Sequence, residues 1–243
     1  MSSLAGQRVV VIGGSSGIGF AVAERAVREG AQVHLGSSSA VRVEAAVKRL
    51  GAAASGAAVD AKDEASVAAF FEQGGPLDHL VFTAGDWPAL LRPAAVAELD
   101  LAGANAVFAV RFWGALSAIK HAQGRISPRG SITLTNGVVA HRPRKGAVLN
   151  TAMAGAIEHL TRALAVELAP VRVNVVCPGL VLTEVWNSIP EETRAEQLRR
   201  MTARLPLPRA GDPDEVAEAY LYLMRGGYST GQVLIVDGGM TLI

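Results

Sequence analysis

The chain has 243 residues, of which one is cysteine, and its 23 basic side chains nearly balance 22 acidic ones, for a net charge of +1. The length allows one large domain or two small ones, and the near-neutral charge argues against nucleic acid as a partner. The single cysteine, Cys177, excludes an internal disulfide and lacks metal-ligand spacing, so we predict no metal site. No apolar run approaches the ~20 residues that span a bilayer, and the N-terminus lacks a signal pattern. We therefore expect a cytoplasmic protein with no membrane partner, folded as one domain over residues 1–243.

Short β-branched runs alternate with longer helical patterns along the chain. Strands are predicted at residues 8–12, 31–36, 57–60, 78–83, 131–135, 171–176 and 231–237. Helices are predicted at 18–29, 41–50, 64–73, 149–168 and 191–201, with one or two within 96–122 and another that ends near 224. This alternation predicts an α/β fold, a doubly wound parallel sheet of about seven strands with helices on both faces. The irregular stretch 179–210 is expected to form an excursion from the sheet.

A glycine-serine loop, GGSSGIG at residues 13–19, follows the first predicted strand and opens the first predicted helix. Gly13 permits a tight turn, Gly17 lets the backbone approach a pyrophosphate, and Gly19 allows close packing of the helix. The free N–H groups at the start of a helix bind phosphate well. In this context the loop predicts a Rossmann-type nucleotide site rather than an ordinary turn. The predicted contacts are Gly13, Ser15, Ser16, Gly17, Ile18 and Gly19.

Further motifs follow in the order that is typical of one enzyme family. Thr83-Ala84-Gly85 ends the fourth predicted strand, VRVNVVCPGLVLTE occupies residues 171–184, and GQVLIVDGG lies near the C-terminus. Together with the glycine loop, these motifs make the whole chain resemble the short-chain dehydrogenase/reductase family. The resemblance implies an oxidoreductase with a bound NAD(P) cofactor, whose adenine amino group Asp60 would hold. It also implies cofactor contacts from Ala84 and Gly85 and, on the nicotinamide side, from Pro178, Gly179, Leu180 and Thr183.

The end of the second predicted strand bears on the choice between NAD(H) and NADP(H). Members of the family that use NAD place an acidic residue there to bind the ribose diol. This chain has Gly36 followed by three serines, Ser37, Ser38 and Ser39, with Arg42 close behind. Hydroxyl groups and an arginine suit a 2′-phosphate, so we favour NADP(H) over NAD(H). The alternative is that the serines only cap the next helix.

The positions that carry the family's chemistry hold other residues in this chain. The resemblance places a Ser-Tyr-Lys set, with an Asn on the fourth long helix, at the reacting carbonyl. Here the Ser position falls on Gly137, or on Asn136 if the register slips by one, and the Tyr position falls on Asn150. The Lys position is Ala154 and the Asn position is Arg111. An amide does not titrate and alanine carries no charge, so the family's acid mechanism cannot operate as written.

Three residues are candidates for a replacement catalytic role. Arg111 keeps its charge and has several donors, so it suits an oxyanion or an acidic substrate, or else it pairs with a carboxylate inside the fold. Asn150 could hydrogen-bond a substrate carbonyl, and His141 is a titratable group that could supply a proton. The basic stretch at 141–145 would attract an acidic substrate or only keep a loop soluble. Residues expected to border the substrate pocket are Asp86, Trp87, Glu184 and Trp186.

Two functions are compatible with this pattern. The first is an atypical oxidoreductase that transfers a hydride between NADP(H) and a small carbonyl or alcohol substrate, with water, His141 or the substrate supplying the proton. The alternative is a nucleotide-binding protein without redox activity: a sensor, a partner subunit or a non-redox enzyme. In the family, the helices corresponding to 102–122 and 149–165 pack across subunits, which implies a homodimer or homotetramer. The alternative is that their apolar faces are buried within one chain.

Overall fold

The computed structural model describes residues 3–85 and 94–243, and its framework is a seven-stranded parallel sheet. The strands are β1 (Arg8–Ile12), β2 (Gln32–Ser37), β3 (Ala54–Ala58), β4 (Leu77–Phe82), β5 (Ile126–Thr135), β6 (Arg172–Pro178) and β7 (Val233–Val236). Their order across the sheet is β3-β2-β1-β4-β5-β6-β7. The strand order reverses between β1 and β4, and in open α/β sheets ligands bind in the crevice at such a point.

Helices cover both faces of the sheet. They are α1 (Gly17–Arg28), α2 (Ala40–Leu50), α3 (Glu64–Gly74), α4 (Asn105–Phe108), α5 (Ala115–Ala122), α6 (Val148–Glu167), α7 (Glu191–Thr202) and α8 (Pro213–Arg225). A π-helical segment, Ala109–Gly114, joins α4 to α5. The predicted fold class, a single Rossmann-type domain with a doubly wound parallel sheet, is confirmed.

The core consists of two apolar clusters, one on each face of the sheet. Successive residues of β1 alternate between them: Val9 and Val11 pack under α1 and α8, whereas Val10 and Ile12 pack against the cluster of α3 and α5. Because both faces are covered, β1 reads as a continuous apolar run rather than as alternating polar and apolar residues. This burial fixes where each strand ends, and therefore where the loops that follow the strands meet.

Some element boundaries differ from those predicted from sequence. The third strand is Ala54–Ala58, earlier than the predicted 57–60, and it is the edge strand beside β2. Its residues are small because α2 packs closely over it: a Cβ added at Gly56 would lie 2.6 Å from Cγ1 of Val43. Small residues give little periodic signal, which explains the displaced prediction.

The segment 179–210 adds no strand to the seven-stranded sheet. It contains an isolated bridge from Val181 to Gly211, a 3₁₀ helix at Glu184–Ser188, and the charged helix α7. None of the helices in the described ranges combines the length and the hydropathy needed to cross a bilayer.

His79 lies near the amino-terminal end of β4, is 2% exposed and makes two hydrogen bonds. Its Nε2 lies 2.8 Å from Oε1 of Gln7, and its Nδ1 lies 2.8 Å from Oγ of Ser131. The amide oxygen of Gln7 can only accept, so Nε2 donates and Nδ1 accepts from the serine hydroxyl. The pKa of His79 is lowered from 6.5 to about 4, mainly because the ring is buried. The ring is therefore neutral in the folded protein at neutral pH.

We predict that His79 makes the protein less stable in mild acid. Between pH 6.5 and about 4 the unfolded chain binds a proton that the folded chain rejects, so stability falls as the pH falls. The free energy of unfolding should drop by about 3 kcal/mol from this group across that window. Urea unfolding of the wild type and of His79→Gln as a function of pH measures it. The exposed His159→Gln is the control and should keep the wild-type slope, and an unchanged slope in His79→Gln would contradict the prediction.

Candidate functional site

A pocket of about 1220 Å³ opens at the carboxyl ends of the strands. Each of the strands β1 to β6 contributes residues that follow it, and this is where ligands bind in doubly wound folds. The contributions after the strands β1 to β6 are, in that order, Gly13, Ser38, Val59 with Asp60, Ala84 with Gly85, Asn136 with Gly137, and Gly179. Thus the topology alone brings together residues that are up to 166 positions apart.

The glycine loop forms the centre of the pocket floor, and its backbone lies too close to its neighbours for side chains. Gly13 has φ +92°, and a Cβ there would lie 2.5 Å from the backbone nitrogen of Ala84. A Cβ at Gly19 would overlap the carbonyl oxygen of Gly13. Gly17 has φ +53°, a conformation that favours glycine, and it opens α1. This cradle of backbone at a helix N-terminus fits a dinucleotide pyrophosphate.

Beside the loop, the end of β2 presents hydroxyl groups. Oγ of Ser15 and Oγ of Ser37 lie 2.9 Å apart, and Ser38 and Arg42 line the same part of the pocket. Ser39 is the residue that caps α2, since its side chain accepts a hydrogen bond from the Arg42 N–H at 3.3 Å. Ser37 and Ser38 therefore do not serve as that cap.

Asp60 follows β3 and lines the pocket next to Val59. Its Oδ1 accepts from the backbone N–H of Lys62 at 2.9 Å, and its own N–H donates to Oγ of Ser66 at 3.0 Å. The carboxylate is thus fixed at the end of the pocket that lies beyond β2.

On the opposite side the pocket is lined by Pro178, Gly179, Leu180 and Thr183. The N–H of Gly179 donates to the carbonyl of Val236 at 2.9 Å. A Cβ added at Gly179 would lie 2.7 Å from Cα of Asp237. Thr183 packs over Gly17, since its Cγ2 would lie 3.1 Å from a Cβ added at Gly17. The next residue, Glu184, accepts a hydrogen bond from the Gly17 N–H at 2.8 Å. All the predicted cofactor contacts therefore line one pocket.

Arg111 lies in the π-helical segment, a geometry often found at functional sites, and it is 7% exposed. Its Nη1 donates to the carbonyl of Asn136 at 3.3 Å, and its guanidinium packs against Gly85, where an added Cβ would lie 2.8 Å from Nε. Burial is the largest cause that lowers the pKa of Arg111 to about 10, with Tyr220 and Cys177 opposing the shift. Arg111 therefore remains a cation at neutral pH, at the wall of the pocket.

The positions where the resemblance expects Ser, Tyr and Lys border the same pocket. They carry Gly137, Asn150 and Ala154. Gly137 has an extended backbone with φ −161°, and no atom lies within 4 Å of a Cβ added there. The site thus has room at Gly137 for a side chain that the sequence does not supply.

Tyr220 does not substitute for a tyrosine in the pocket. It is fully buried, its hydroxyl lies 2.6 Å from Oγ1 of Thr135, and Thr135 in turn donates to the carbonyl of Phe82 at 2.8 Å. The hydroxyl of Tyr220 is therefore the donor to Thr135, and burial raises its pKa well above the usual range. Tyr220 supports β5 from below and keeps its proton.

His141 lies outside the set of described residues that line the pocket, because its ring turns toward α6. Its Nε2 lies 2.7 Å from Oε1 of Glu158, which is 7% exposed. Asn136 Nδ2 donates to the same oxygen at 3.2 Å and to the carbonyl of Ala154 at 3.0 Å. Sequence reasoning missed Glu158. The available signal was the spacing: Glu158 is four residues after Ala154, and residues four apart share one face of a helix. An acid on this otherwise mostly apolar face was the unusual feature.

Cys177 lies beside this pair, and the ligand atoms of His141, Glu158 and Cys177 are within 4.8 Å of one another. This is the group of possible metal ligands found in the described part of the chain. His141 and Glu158 bind each other directly, and burial is the main cause that raises the pKa of the Cys177 thiol to about 12. The arrangement is that of His141 bonded to Glu158 beside a neutral thiol, and the absence of a metal site stays a prediction.

The remaining candidates fall in different places. Arg142 and Arg144 line the pocket, as do Glu184 and Trp186, whose Nε1 donates to the carbonyl of Val181 at 3.0 Å. Asp86 and Trp87 lie outside the described residues.

Comparison with known proteins identifies the family. A family model described as enoyl-(acyl carrier protein) reductase matches residues 12–241. A short-chain dehydrogenase/reductase, ATR9, from Stachybotrys chlorohalonatus is 36% identical over 262 aligned positions that cover 100% of both chains. This chain belongs to the short-chain dehydrogenase/reductase family. Its structure is similar to that of the MalC reductase/Diels-Alderase from Malbranchea aurantiaca, with a TM-score of 0.91 at 33% identity over 99% of this chain and 98% of that one.

A second similar structure is an NADPH-bound short chain oxidoreductase from Pseudomonas aeruginosa PAO1, described as containing an atypical catalytic center. Its TM-score is 0.90 at 29% identity, and the match covers 98% of each chain. The present short-chain dehydrogenase/reductase is thus similar over nearly its whole length to a family member that binds NADPH.

We predict that Gly85 is required to seat the guanidinium of Arg111. Gly85→Ala should lower the free energy of unfolding by about 1–3 kcal/mol, because the added methyl group would overlap Nε and Nη2 of a buried side chain. Urea unfolding measures the loss. In an Arg111→Ala background the same substitution should cost less than about 0.5 kcal/mol. An equal cost in both backgrounds would show that the methyl group meets something other than Arg111.

Proposed function

We propose that this protein transfers a hydride between NADP(H) and a small carbonyl or alcohol substrate, with Arg111 in place of the family's usual catalytic residues. The observation that carries the proposal is a charged, buried arginine at the wall of the pocket that also contains the glycine loop. A cation held out of water at this point stabilises negative charge far more strongly than it would at a surface.

The cofactor proposal rests on the cradle and on the end of β2. The glycine loop fits a pyrophosphate, Asp60 would hold the adenine, and Pro178, Gly179, Leu180 and Thr183 would contact the nicotinamide half. Ser37, Ser38 and Arg42 would bind a 2′-phosphate, because their hydroxyl and guanidinium groups suit a dianion. Support comes from two similar structures that contain NADPH, one of them a small-chain dehydrogenase at 35% identity and a TM-score of 0.83.

In the proposed mechanism, bound NADPH would supply the hydride to a carbonyl carbon. Arg111 would donate to the carbonyl oxygen as it becomes an alkoxide, and the amide of Asn150 would orient the same oxygen. The contact of Arg111 with the Asn136 carbonyl holds the guanidinium in place beforehand. Preorganised donors of this kind lower the barrier without a rearrangement during the reaction.

A proton is still needed by the alkoxide. Arg111 keeps its own proton near neutral pH, since even with burial its pKa stays at about 10. Asn150 does not titrate, and the imidazole of His141 binds Glu158 instead of facing the pocket. We therefore favour water or an acidic group of the substrate as the proton donor, and His141 through a water as the alternative.

We further propose that the substrate is an acid. Arg142 and Arg144 line the pocket from the loop after β5, on the same side as Arg111. Neither Arg142 nor Arg144 takes part in an ion pair within the described part of the chain. Three guanidinium groups around one cavity would attract a carboxylate or a phosphate.

A homodimer or homotetramer is part of the proposal. Trp113 is 56% exposed at the end of the π-helical segment, and Val166 is 81% exposed near the end of α6. Exposed large apolar groups on these two helical stretches support packing against a second copy of the chain.

We predict that Arg42 sets the preference for NADP(H). Arg42→Ala should weaken NADPH binding about tenfold to a hundredfold, because it removes a charged contact with the 2′-phosphate. The dissociation constant for NADH should stay the same, because NADH has no 2′-phosphate. Titration calorimetry with both nucleotides measures this. Lys48→Ala removes a charge from the exposed side of the same helix and should change neither affinity. Equal weakening for both nucleotides would place Arg42 elsewhere on the cofactor.

We predict that Arg111→Met lowers kcat/KM by about 10²–10³ and leaves the NADPH dissociation constant unchanged. The measurement is NADPH oxidation with a panel of small ketones and aldehydes, each tested as a carboxylate and as its methyl ester. Carboxylates should be the better substrates, and the exposed Arg129→Met should behave as wild type. Equal turnover in Arg111→Met would remove this residue from the mechanism.

A second function is favoured by the residues Gly137, Asn150 and Ala154 at the family's catalytic positions. In this alternative the protein binds the nucleotide without redox activity, as a sensor, a partner subunit or a non-redox enzyme. Tight NADPH binding with no oxidation above the protein-free rate across the whole panel would support it over the first function.

A further inference from the structure

Glu184 occupies a position on the glycine loop that an anionic ligand would use. Its Oε2 accepts a hydrogen bond from the backbone N–H of Gly17 at 2.8 Å. That N–H belongs to the first residue of α1, where the free N–H groups of a helix favour negative charge. A carboxylate of the chain itself is therefore bound where the proposed function requires the pyrophosphate.

We propose that Glu184 competes with the cofactor's pyrophosphate for the glycine loop, so that NADP(H) must displace this carboxylate in order to bind. The inference rests on the proposed function, because it concerns how the same pocket takes its nucleotide. Two anions about 4 Å apart repel each other by about 1 kcal/mol even in water, and by more beside a partly enclosed wall. The N–H of Gly17 also cannot serve both acceptors at full strength.

The surroundings of Glu184 give the displaced carboxylate a place to go. Gly17, Thr183, Glu184 and Trp186 form a shared wall, since they line both the main pocket and a neighbouring groove of about 700 Å³. This groove is lined by three arginines and, besides Glu184, by four carboxylates: Arg28, Arg49 and Arg194, with Glu24, Glu191, Asp212 and Asp214. Rotation of the Glu184 side chain toward the open groove would exchange the Gly17 N–H for water and for the neighbourhood of these arginines, of which Arg28 already pairs with Glu24 and Arg194 with Asn187.

The backbone around Glu184 ties this exchange to the substrate side of the pocket. Glu184 is the first residue of the 3₁₀ helix Glu184–Ser188, and Trp186 and Ser188 of that helix line the main pocket. Thr183, immediately before it, packs over Gly17. Cofactor binding would therefore alter the contact between this helix and the loop before a substrate enters.

The test is the affinity for NADPH of Glu184→Gln, measured on the full chain by calorimetry without substrate. Glutamine keeps the size of the side chain and an oxygen that can accept from Gly17, but it removes the charge. We expect the dissociation constant for NADPH to fall about fivefold to tenfold. Glu192→Gln on the exposed face of α7 is the matched control and should bind NADPH as the wild type does.

Adenosine 2′-monophosphate serves as a second probe, because it carries the 2′-phosphate but no pyrophosphate. Its affinity, measured by competition with NADPH, should be the same for the wild type and for Glu184→Gln. A tighter affinity for both ligands would point to a general charge effect and overturn the inference.

Unchanged or weaker NADPH binding by Glu184→Gln would also overturn it. If that variant does not fold, as judged by its urea midpoint, Glu184→Ser provides the same loss of charge and should likewise tighten NADPH binding. Binding of NADPH to neither the wild type nor the variant would overturn the proposed function as well, whereas equal binding to both would overturn this inference alone.

Discussion

The site depends on the close approach of three pieces of backbone at the centre of the sheet. The turn that follows β1, the first turn of α1 and the end of β4 meet with no space for side chains at Gly13 and Gly19. Thr83 fastens this junction, since its N–H and its Oγ1 both donate to the carbonyl of Ile12, at 2.8 and 3.2 Å. The walls of the pocket are positioned relative to this junction, because β2 and β5 pair with β1 and β4, and β3 and β6 pair in turn with β2 and β5.

The burial of Arg111 follows from the same junction. Gly85, two residues beyond Thr83, has no side chain and so leaves the space that the guanidinium occupies. A charged group out of water is costly unless polar groups surround it, and here the carbonyl of Asn136 supplies one contact. Asn136 also binds Glu158, so the buried cation and the buried carboxylate share one polar residue. The chain thus maintains a polar network of Arg111, Asn136 and Glu158 beside the pocket.

Charge is distributed unevenly around the pocket, and this shapes what it can bind. Arginines line both ends, with Arg42 beyond β2 and Arg142 and Arg144 after β5, while the carboxylate of Glu184 lies near the middle on the glycine loop. A ligand with anionic groups at several points would meet arginines at its ends, the carboxylate of Asp60 beside Arg42, and the carboxylate of Glu184 near its centre. Under the proposals above, the affinity for the cofactor and the preference for an acidic substrate would both depend on these charged side chains of one pocket.

Much of this protein was predictable from its sequence because the signals are local. The β-branched runs, the helical spacings and the positions of Gly13, Gly17 and Gly19 predicted the parallel sheet and the nucleotide pocket. The strand of small residues at Ala54–Ala58 was displaced in the prediction, since packing by α2 rather than periodicity defines it.

Three features were decided only by the tertiary structure: the seat of Arg111 on Gly85, the turning of His141 onto Glu158, and the contact of Glu184 with Gly17. The residues in these contacts are 17 to 167 positions apart, and side-chain pairing at such distances leaves no periodic trace in the sequence. The sequence by itself determined the order of strands and helices and which glycines bend the loop, because these signals are carried by neighbours along the chain. Which charged groups face one another inside the pocket was decided by the tertiary structure, because only the packed sheet brings those strand ends together.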